Sequence, residues 1–129
     1  MSVGWGNITV KEILDPINGA LISGVPETVL TGISTDSRTA DEGELFWALV
    51  GEIYDGHDFA LKATEKGAAG MVVERKWVHS KGAGKRLDSI RSRFPDRAVI
   101  SVEDTLKALG DLAAWWRRRH CLKVVGITG

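Results

Sequence analysis

The chain has 129 residues, 43% hydrophobic and 26% charged, the composition of an ordinary soluble globular protein with one domain's worth of core. Seventeen basic and seventeen acidic side chains cancel, which excludes a global field that would recruit nucleic acid or a membrane surface. The single cysteine, Cys121, excludes an internal disulfide and fits a reducing cytoplasm, and no apolar run is long enough to span a bilayer.

The stretch Met1-Ser2-Val3-Gly4-Trp5 lacks the basic and apolar regions of a signal peptide. Thr9-Val10-Lys11-Glu12 is a capping box, which predicts a short helix that ends at Asp15-Pro16, where the residue before proline is pushed out of helical geometry. Asn18-Gly19 turns the chain into a small strand, Ala20-Leu21-Ile22. Val29 to Thr35 alternates apolar and polar residues with the period of a strand. After a turn at Asp41-Glu42-Gly43, Glu44 to Val50 is apolar enough for a central strand buried on both faces.

Asp55-Gly56-His57-Asp58 opens a helix with an Asp cap, Phe59 and Ala63 follow at i, i+4, and Gly67 supplies the left-handed stop. Met71-Val72-Val73 is the next strand. Lys76 to Pro95 is the least ordered stretch by composition, a basic Ser80 to Arg86 loop and then a helix with Leu87, Ile90 and Phe94 on one face. Ala98 to Val102 is another strand. The longest helix is expected from Glu103 to Arg119, with acid at its positive end and three arginines at its negative end. Leu106, Leu109, Ala113 and Trp116 fall at the spacing of its buried face. The arginines read as a solvated helix end rather than a nucleic-acid patch. Cys121 reads as a small buried hydrophobe beside a last strand, Leu122 to Ile127, that runs into a glycine turn at Gly126 and Gly129. Strands interspersed with helices and no internal repeat predict an α/β domain with a mixed sheet covered by helices.

Two loops hold the candidate chemistry. Thr35-Asp36-Ser37-Arg38 follows a strand and combines hydroxyl, carboxylate and guanidinium groups suited to a planar polar ring and a phosphate. The same residues are compatible with an Asx-turn in which Asp36 bonds its own backbone and Arg38 is solvated. Gly51 to Asp58 lies between a strand and a helix, where α/β sheets bind ligands, and its glycines allow close approach to the backbone. His57 stands without a matched nucleophile and reads as a capping or packing residue. No catalytic set and no metal-ligand spacing is present. A Gly-x-x-Gly turn at Gly126 to Gly129 is also how a phosphate-cradling loop begins, although an ordinary tight turn has the same residues.

The runs Ile33-Ser34-Thr35-Asp36-Ser37-Arg38, Glu42-Gly43-Glu44-Leu45-Phe46-Trp47-Ala48-Leu49-Val50-Gly51 and Asp55-Gly56-His57-Asp58-Phe59 together resemble the N-terminal domain of the Mur ligases, which build the peptide stem of peptidoglycan. Gly67 to Val73 and Val102 to Gly110 fit the same pattern, and Val124-Val125-Gly126-Ile127-Thr128-Gly129 looks like the entry to that family's ATP-binding loop. Within the family, the Asp-Gly-His-Asp-Phe run and the helix reaching Trp115-Trp116-Arg117 look most like the member that adds D-alanyl-D-alanine. The chain departs from the family pattern at Trp47, where a smaller residue is common, and in a longer, more basic segment from Lys76 to Pro95.

The resemblance implies a single three-layer domain with a mixed β-sheet flanked by helices. It divides the chain into residues 1–122, a UDP-MurNAc-peptide-binding N-terminal domain, and 123–129, the first strand and truncated start of an ATP-binding central domain. It implies that Thr35 and Ser37 approach the uracil, and that Gly51, Glu52, Ile53 and Tyr54 line its other side largely through backbone groups. Arg38 is either a diphosphate contact or an anchor of the loop. Gly126, Thr128 and Gly129 would open the incomplete ATP loop. The implied whole enzyme is a cytoplasmic, ATP-dependent, ADP-forming amide ligase of peptidoglycan precursor synthesis. It uses ATP and Mg²⁺ to phosphorylate a peptide carboxylate, which an amine then attacks. Its implied partners are UDP-MurNAc-tripeptide and D-alanyl-D-alanine, with no nucleic acid or membrane and as a monomer. This part by itself is expected to be inactive and to hold no cofactor. Two alternatives stand beside it: the same domain of the sister ligase that adds the third stem residue to UDP-MurNAc-dipeptide, and a non-enzymatic ligand-sensing module of related fold.

Overall fold

Side chains on a strand alternate between faces, so a strand apolar at every position needs cover on both sides. The strands β4 (Glu44–Trp47), β5 (Gly70–Glu74) and β6 (Ala98–Val102) are buried at every residue. Leu45, Trp47, Val72, Ile100 and Val102 point into one core cluster, and Phe46, Met71, Val73 and Val99 into the other. The computed structural model, which describes residues 2–38, 40–53, 55–80 and 82–128 and side chains from Ile8 to Arg119, therefore has three layers.

Six strands form the sheet. β1 (Ser2–Thr9), β2 (Ala20–Ser23) and β3 (Val29–Ser34) join the three above in the order β1-β3-β4-β5-β6-β2. The four inner strands are parallel, and β1 and β2 close the edges antiparallel, so the sheet is mixed as expected. On one face lie α1 (Val10–Leu14) and α5 (Thr105–Thr128), whose Ile13, Ala108 and Leu112 enter the first cluster. The other face carries α2 (Ala60–Glu65) and α4 (Ala83–Arg93), whose Ala63, Leu87 and Ile90 fill the second, while Trp77 of α3 (Arg75–Val78) packs against it.

Local signals built the short elements. The Thr9 hydroxyl accepts the Glu12 amide hydrogen at 3.4 Å, the N-cap half of the capping box, and donates to the Glu12 carboxylate at the same distance. Gly67 ends α2 with φ of 109°, the left-handed geometry its position demands.

One strand not read from the sequence is added, and four expectations change. β1 carries no alternation because Gly4 and Gly6 interrupt it; its pairing with β3 shifts register between Gly4 and Ile8, where glycines accommodate a bulge. The strand expected over Glu44 to Val50 stops at Trp47, and the chain then leaves the sheet in a hairpin closed by a Val50–Asp55 bridge. The basic Ser80 to Arg86 segment is helix from Ala83 onward, because Ala83, Leu87 and Ile90 form one buried stripe. The face of α5 expected at Leu106, Leu109, Ala113 and Trp116 holds in part: Leu109 and Trp116 pack against the first cluster, but its fully buried residues are Thr105, Ala108 and Leu112, while Leu106 is 67% exposed and Ala113 is exposed. The strand expected over Leu122 to Ile127 is instead the continuation of α5. A strand satisfies its backbone only against a partner, and no strand of the sheet pairs with these residues, whereas a helix satisfies its own. The side chain of Cys121 lies outside the described residues.

Candidate functional site

Parallel strands end on the same side, and the loops leaving β3 and β4 meet there. Between them opens a cleft of about 790 Å³. Thr35 to Arg38 form one wall and Leu49 to Gly51 another, while Phe59, Lys62 and Leu106 complete the lining from the opening of α2 and the first turn of α5. This is where open α/β sheets place ligands.

The Thr35 to Arg38 wall is a braced turn. The Ser34 hydroxyl donates to the Asp36 carbonyl at 2.9 Å, and the Asp36 carboxylate accepts the Arg38 amide hydrogen at 2.8 Å, an Asx-turn. The same carboxylate holds the Arg38 guanidinium through Nε at 3.1 Å and Nη2 at 2.9 Å. The side-chain and backbone hydrogen bonds from Arg38 hold the Asp36 carboxyl down to about 2. Lys66 Nζ donates to the Arg38 carbonyl at 2.8 Å and ties the turn to the end of α2. Ser37 is 2% exposed, so it contributes to the wall with little surface. Arg38 is thus neither simply solvated nor unpaired.

The second wall is set by a hairpin and a buried histidine. Gly56 N–H donates to the Leu49 carbonyl at 2.8 Å, an approach so close that a Cβ on Gly56 would sit 2.8 Å from the Leu49 nitrogen. Asp55 caps the following 3₁₀ turn, Gly56–Phe59, by accepting the His57 amide hydrogen at 2.9 Å. Burial works to raise the Asp55 carboxyl, but the His57 backbone and ring hydrogen bonds outweigh it and the net shift is downward.

The His57 ring is fully enclosed, stacked on Trp77 with centroids 4.9 Å apart. Its Nε2 accepts the Glu74 backbone N–H at 2.9 Å, so the ring proton resides on Nδ1 and is donated to Asp55 Oδ1 at 2.6 Å. His57 is therefore a neutral packing residue outside the cleft. Glu74 extends the tie: its Oε2 accepts from the Thr105 amide at 3.1 Å and hydroxyl at 3.2 Å. Asp104 Oδ1 takes the Leu106 and Lys107 amides at 2.9 and 3.2 Å, so the start of α5 is capped by side chains.

Of the residues expected at the site, Thr35, Ser37, Arg38 and Gly51 come together around the cleft. Glu52 and Ile53 lie beyond it on the exposed hairpin, Ile53 without any cover. Tyr54 and Gly129 lie outside the described residues, and Gly126 and Thr128 fall within α5 rather than in a turn. The reading from residues missed Phe59, Lys62 and Leu106. Phe59 and Lys62 share an i, i+3 face legible in the sequence, whereas the helical spacing of Leu106 assigns it to the core. Among the described residues no group of three or more His, Cys, Asp and Glu could hold a metal ion, and no helix is long and apolar enough to cross a membrane.

Residues 29–117 match the family model described as Mur ligase family, catalytic domain. The UDP-N-acetylmuramoyl-tripeptide–D-alanyl-D-alanine ligase of Bacillus subtilis is 35% identical over 122 residues, 94% of this chain and 24% of that protein. The UDP-N-acetylmuramoyl-L-alanyl-D-glutamate–2,6-diaminopimelate ligase of Aquifex aeolicus is 39% identical over 100 residues, 76% of this chain and 17% of that protein. The crystal structure of MurF from Acinetobacter baumannii superposes with a TM-score of 0.67 at 28% identity, over 92% of this chain and 22% of that one. The chain spans about a quarter or less of the length of these relatives. A family match across most of the sheet, with a mixed three-layer fold shared with a solved member, settles the kinship: the chain belongs to the Mur ligase family.

Proposed function

We propose that this chain is the domain that holds the UDP end of a UDP-N-acetylmuramoyl-tripeptide in a cytoplasmic, ATP-dependent ligase that adds D-alanyl-D-alanine. The observation that carries the reading is the cleft at the carboxyl ends of β3 and β4, where the Thr35 to Arg38 turn faces Leu49 to Gly51. Hydroxyls and backbone groups there suit the edge of a pyrimidine, and Leu49, Val50 and Leu106 suit its apolar faces. The relatives of matching name support the choice of reaction.

In this reading the chain binds and orients, and the bond-forming chemistry belongs to the part of the relatives it does not match. Its only Gly-Lys pair, Gly84-Lys85, is followed by Arg86 rather than the Ser or Thr of a phosphate loop. Among the described residues no group of three or more His, Cys, Asp and Glu is gathered to hold a metal ion, and no step through ATP or the metal is assigned to these residues.

A second reading, the sister ligase that adds 2,6-diaminopimelate, is favoured by the 39% identity to the Aquifex aeolicus enzyme. Assaying the whole ligase with each amine donor separates the two.

Titration of the 129-residue chain with UDP, followed by amide NMR, tests the cleft. Expected are shifts at Ser37 and Leu49 to Gly51 with an affinity on the order of millimolar to high micromolar, since one wall of a multidomain site lacks the others' contacts. Ser37→Ala should weaken binding by roughly 0.5–1.5 kcal/mol. Shifts confined to Lys85 and Arg86 would remove the assignment.

A further inference from the structure

We infer that Lys62, and not Arg38, is the side chain that meets the diphosphate of a nucleotide in the cleft. The inference rests on the proposed function and assigns one residue within that site.

The cations lining the cleft, among the described residues, are Arg38 and Lys62. Their situations differ. Arg38 is the obvious phosphate fork by residue type, yet its Nε–Nη2 edge is already turned to Asp36, which both nitrogens bond. Asp36 is held ionised across the neutral range, so the turn has no net charge to offer an anion. Turning the Nε–Nη2 edge of Arg38 to a phosphate would strip Asp36 of three hydrogen bonds, and a phosphate on its other edge would meet a guanidinium whose charge Asp36 already offsets. The neighbouring Lys66 is committed as well, to the Arg38 carbonyl at 2.8 Å.

Lys62 has no such engagement. It is exposed on α2, whose Ala60, Ala63 and Thr64 are buried against the core, so a rigid element carries its stem to the cleft. Among the described residues its ammonium has neither a carboxylate nor a carbonyl partner. On α4, Arg86 pairs with Asp58 at 2.9 Å and Arg93 with Glu65 at 2.9 Å. An ammonium with three available donors beside an apolar cleft is the group an incoming diphosphate can use without breaking anything. Arg38 then keeps the turn in shape with its charge offset by Asp36, and of the two cations lining the cleft Lys62 is the one with no carboxylate beside it among the described residues.

The test compares UDP with uridine, which share the base and sugar but differ in the diphosphate, on the 129-residue chain and its Lys62→Gln, Lys62→Arg and Arg38→Gln variants. Binding is read by NMR titration at two salt concentrations. For the parent chain, UDP should bind more tightly than uridine, and added salt should reduce that advantage. Lys62→Gln should weaken UDP binding by about fivefold, the size of one exposed ion pair, leave uridine unchanged and flatten the salt dependence. Lys62→Arg should restore the preference. Arg38→Gln should lower the melting temperature and weaken both ligands alike, because it disturbs the wall rather than the phosphate contact.

A Lys62→Gln chain that keeps its full preference for UDP over uridine, with Arg38→Gln abolishing it, overturns the inference while the cleft assignment survives. Absence of any cleft shift in the parent chain with either ligand brings down the proposed function and this inference with it.

Discussion

The Trp47 indole N–H donates to the Thr105 carbonyl oxygen at 2.7 Å, a bond between residues 58 apart in sequence that joins the end of β4 to the first turn of α5. Trp47 is fully buried in the same cluster as Ala108 and Leu112. The bond and the packing fix the rotation of α5, and that rotation turns Leu106 out of the core and into the cleft lining. The large residue at this position thus has a structural reason.

Trp47→Phe keeps most of the apolar bulk but removes the donor. It should cost about 1–3 kcal/mol, from the lost hydrogen bond and the space left by the smaller ring. Urea denaturation measures this, and an unchanged midpoint would show that α5 is oriented by packing alone.

The tautomer of His57 is a second expectation. With Nε2 accepting the Glu74 amide hydrogen, ¹⁵N shifts of the ring should report a protonated Nδ1 and an unprotonated Nε2 at neutral pH. His57→Ala should destabilise the chain by at least about 1–3 kcal/mol, the cost of a buried amide left without a partner, before the lost stacking on Trp77 is counted. A ring protonated on Nε2 would contradict the bond to Glu74.

Asp36 makes the turn sensitive to acid. Its carboxyl lies at about 2 in the folded chain against an ordinary 3.8, so the folded state favours the ionised form. Its contribution is therefore fully present above pH 3.8 and is lost as pH falls toward 2. Asp36→Asn keeps an acceptor for the Arg38 amide but removes the charge. The variant should melt lower than the parent by a constant margin at neutral pH, and the two melting temperatures should converge below about pH 4. A margin that persists at pH 2 would mean that shape, not charge, holds Arg38.

Glycines offer a contrast of sign. Gly84 in α4 and Gly110 in α5 are exposed, and a Cβ at either would meet nothing within 4 Å. Replacing each by alanine should stabilise the chain by about 0.5–1 kcal/mol, because glycine loses more freedom in a helix. Gly24→Ala should do the reverse: its φ is 93°, and a Cβ there would lie 2.6 Å from the Ala98 Cα. Thermal melts of the three variants check the signs.

Residues whose structure rests on near neighbours were legible from sequence. The Thr9–Glu12 capping box, the Gly67 stop, the Asp55 cap and the strand from Ala98 to Val102 all depend on interactions within a few positions or on a simple apolar run. The resemblance carried by the Thr35 to Arg38 and Gly51 to Phe59 runs likewise belongs to the order of residues alone, and it named the family and the two loops that face each other. Other features required the folded chain. α5 has apolar residues on more of its circumference than one core can cover, so periodicity could not choose between Leu106 and Leu112; the ties from Trp47 and Glu74 chose. Leu122 to Ile127 is apolar enough for strand or helix, and the presence or absence of a pairing edge decides between them. Arg38 and Lys62 are both cations in sequence. Asp36 lies two residues from Arg38, within reach of a local turn, whereas only the fold brings Lys62 of α2 to the same cleft, because the distance between two elements is not set by chain order.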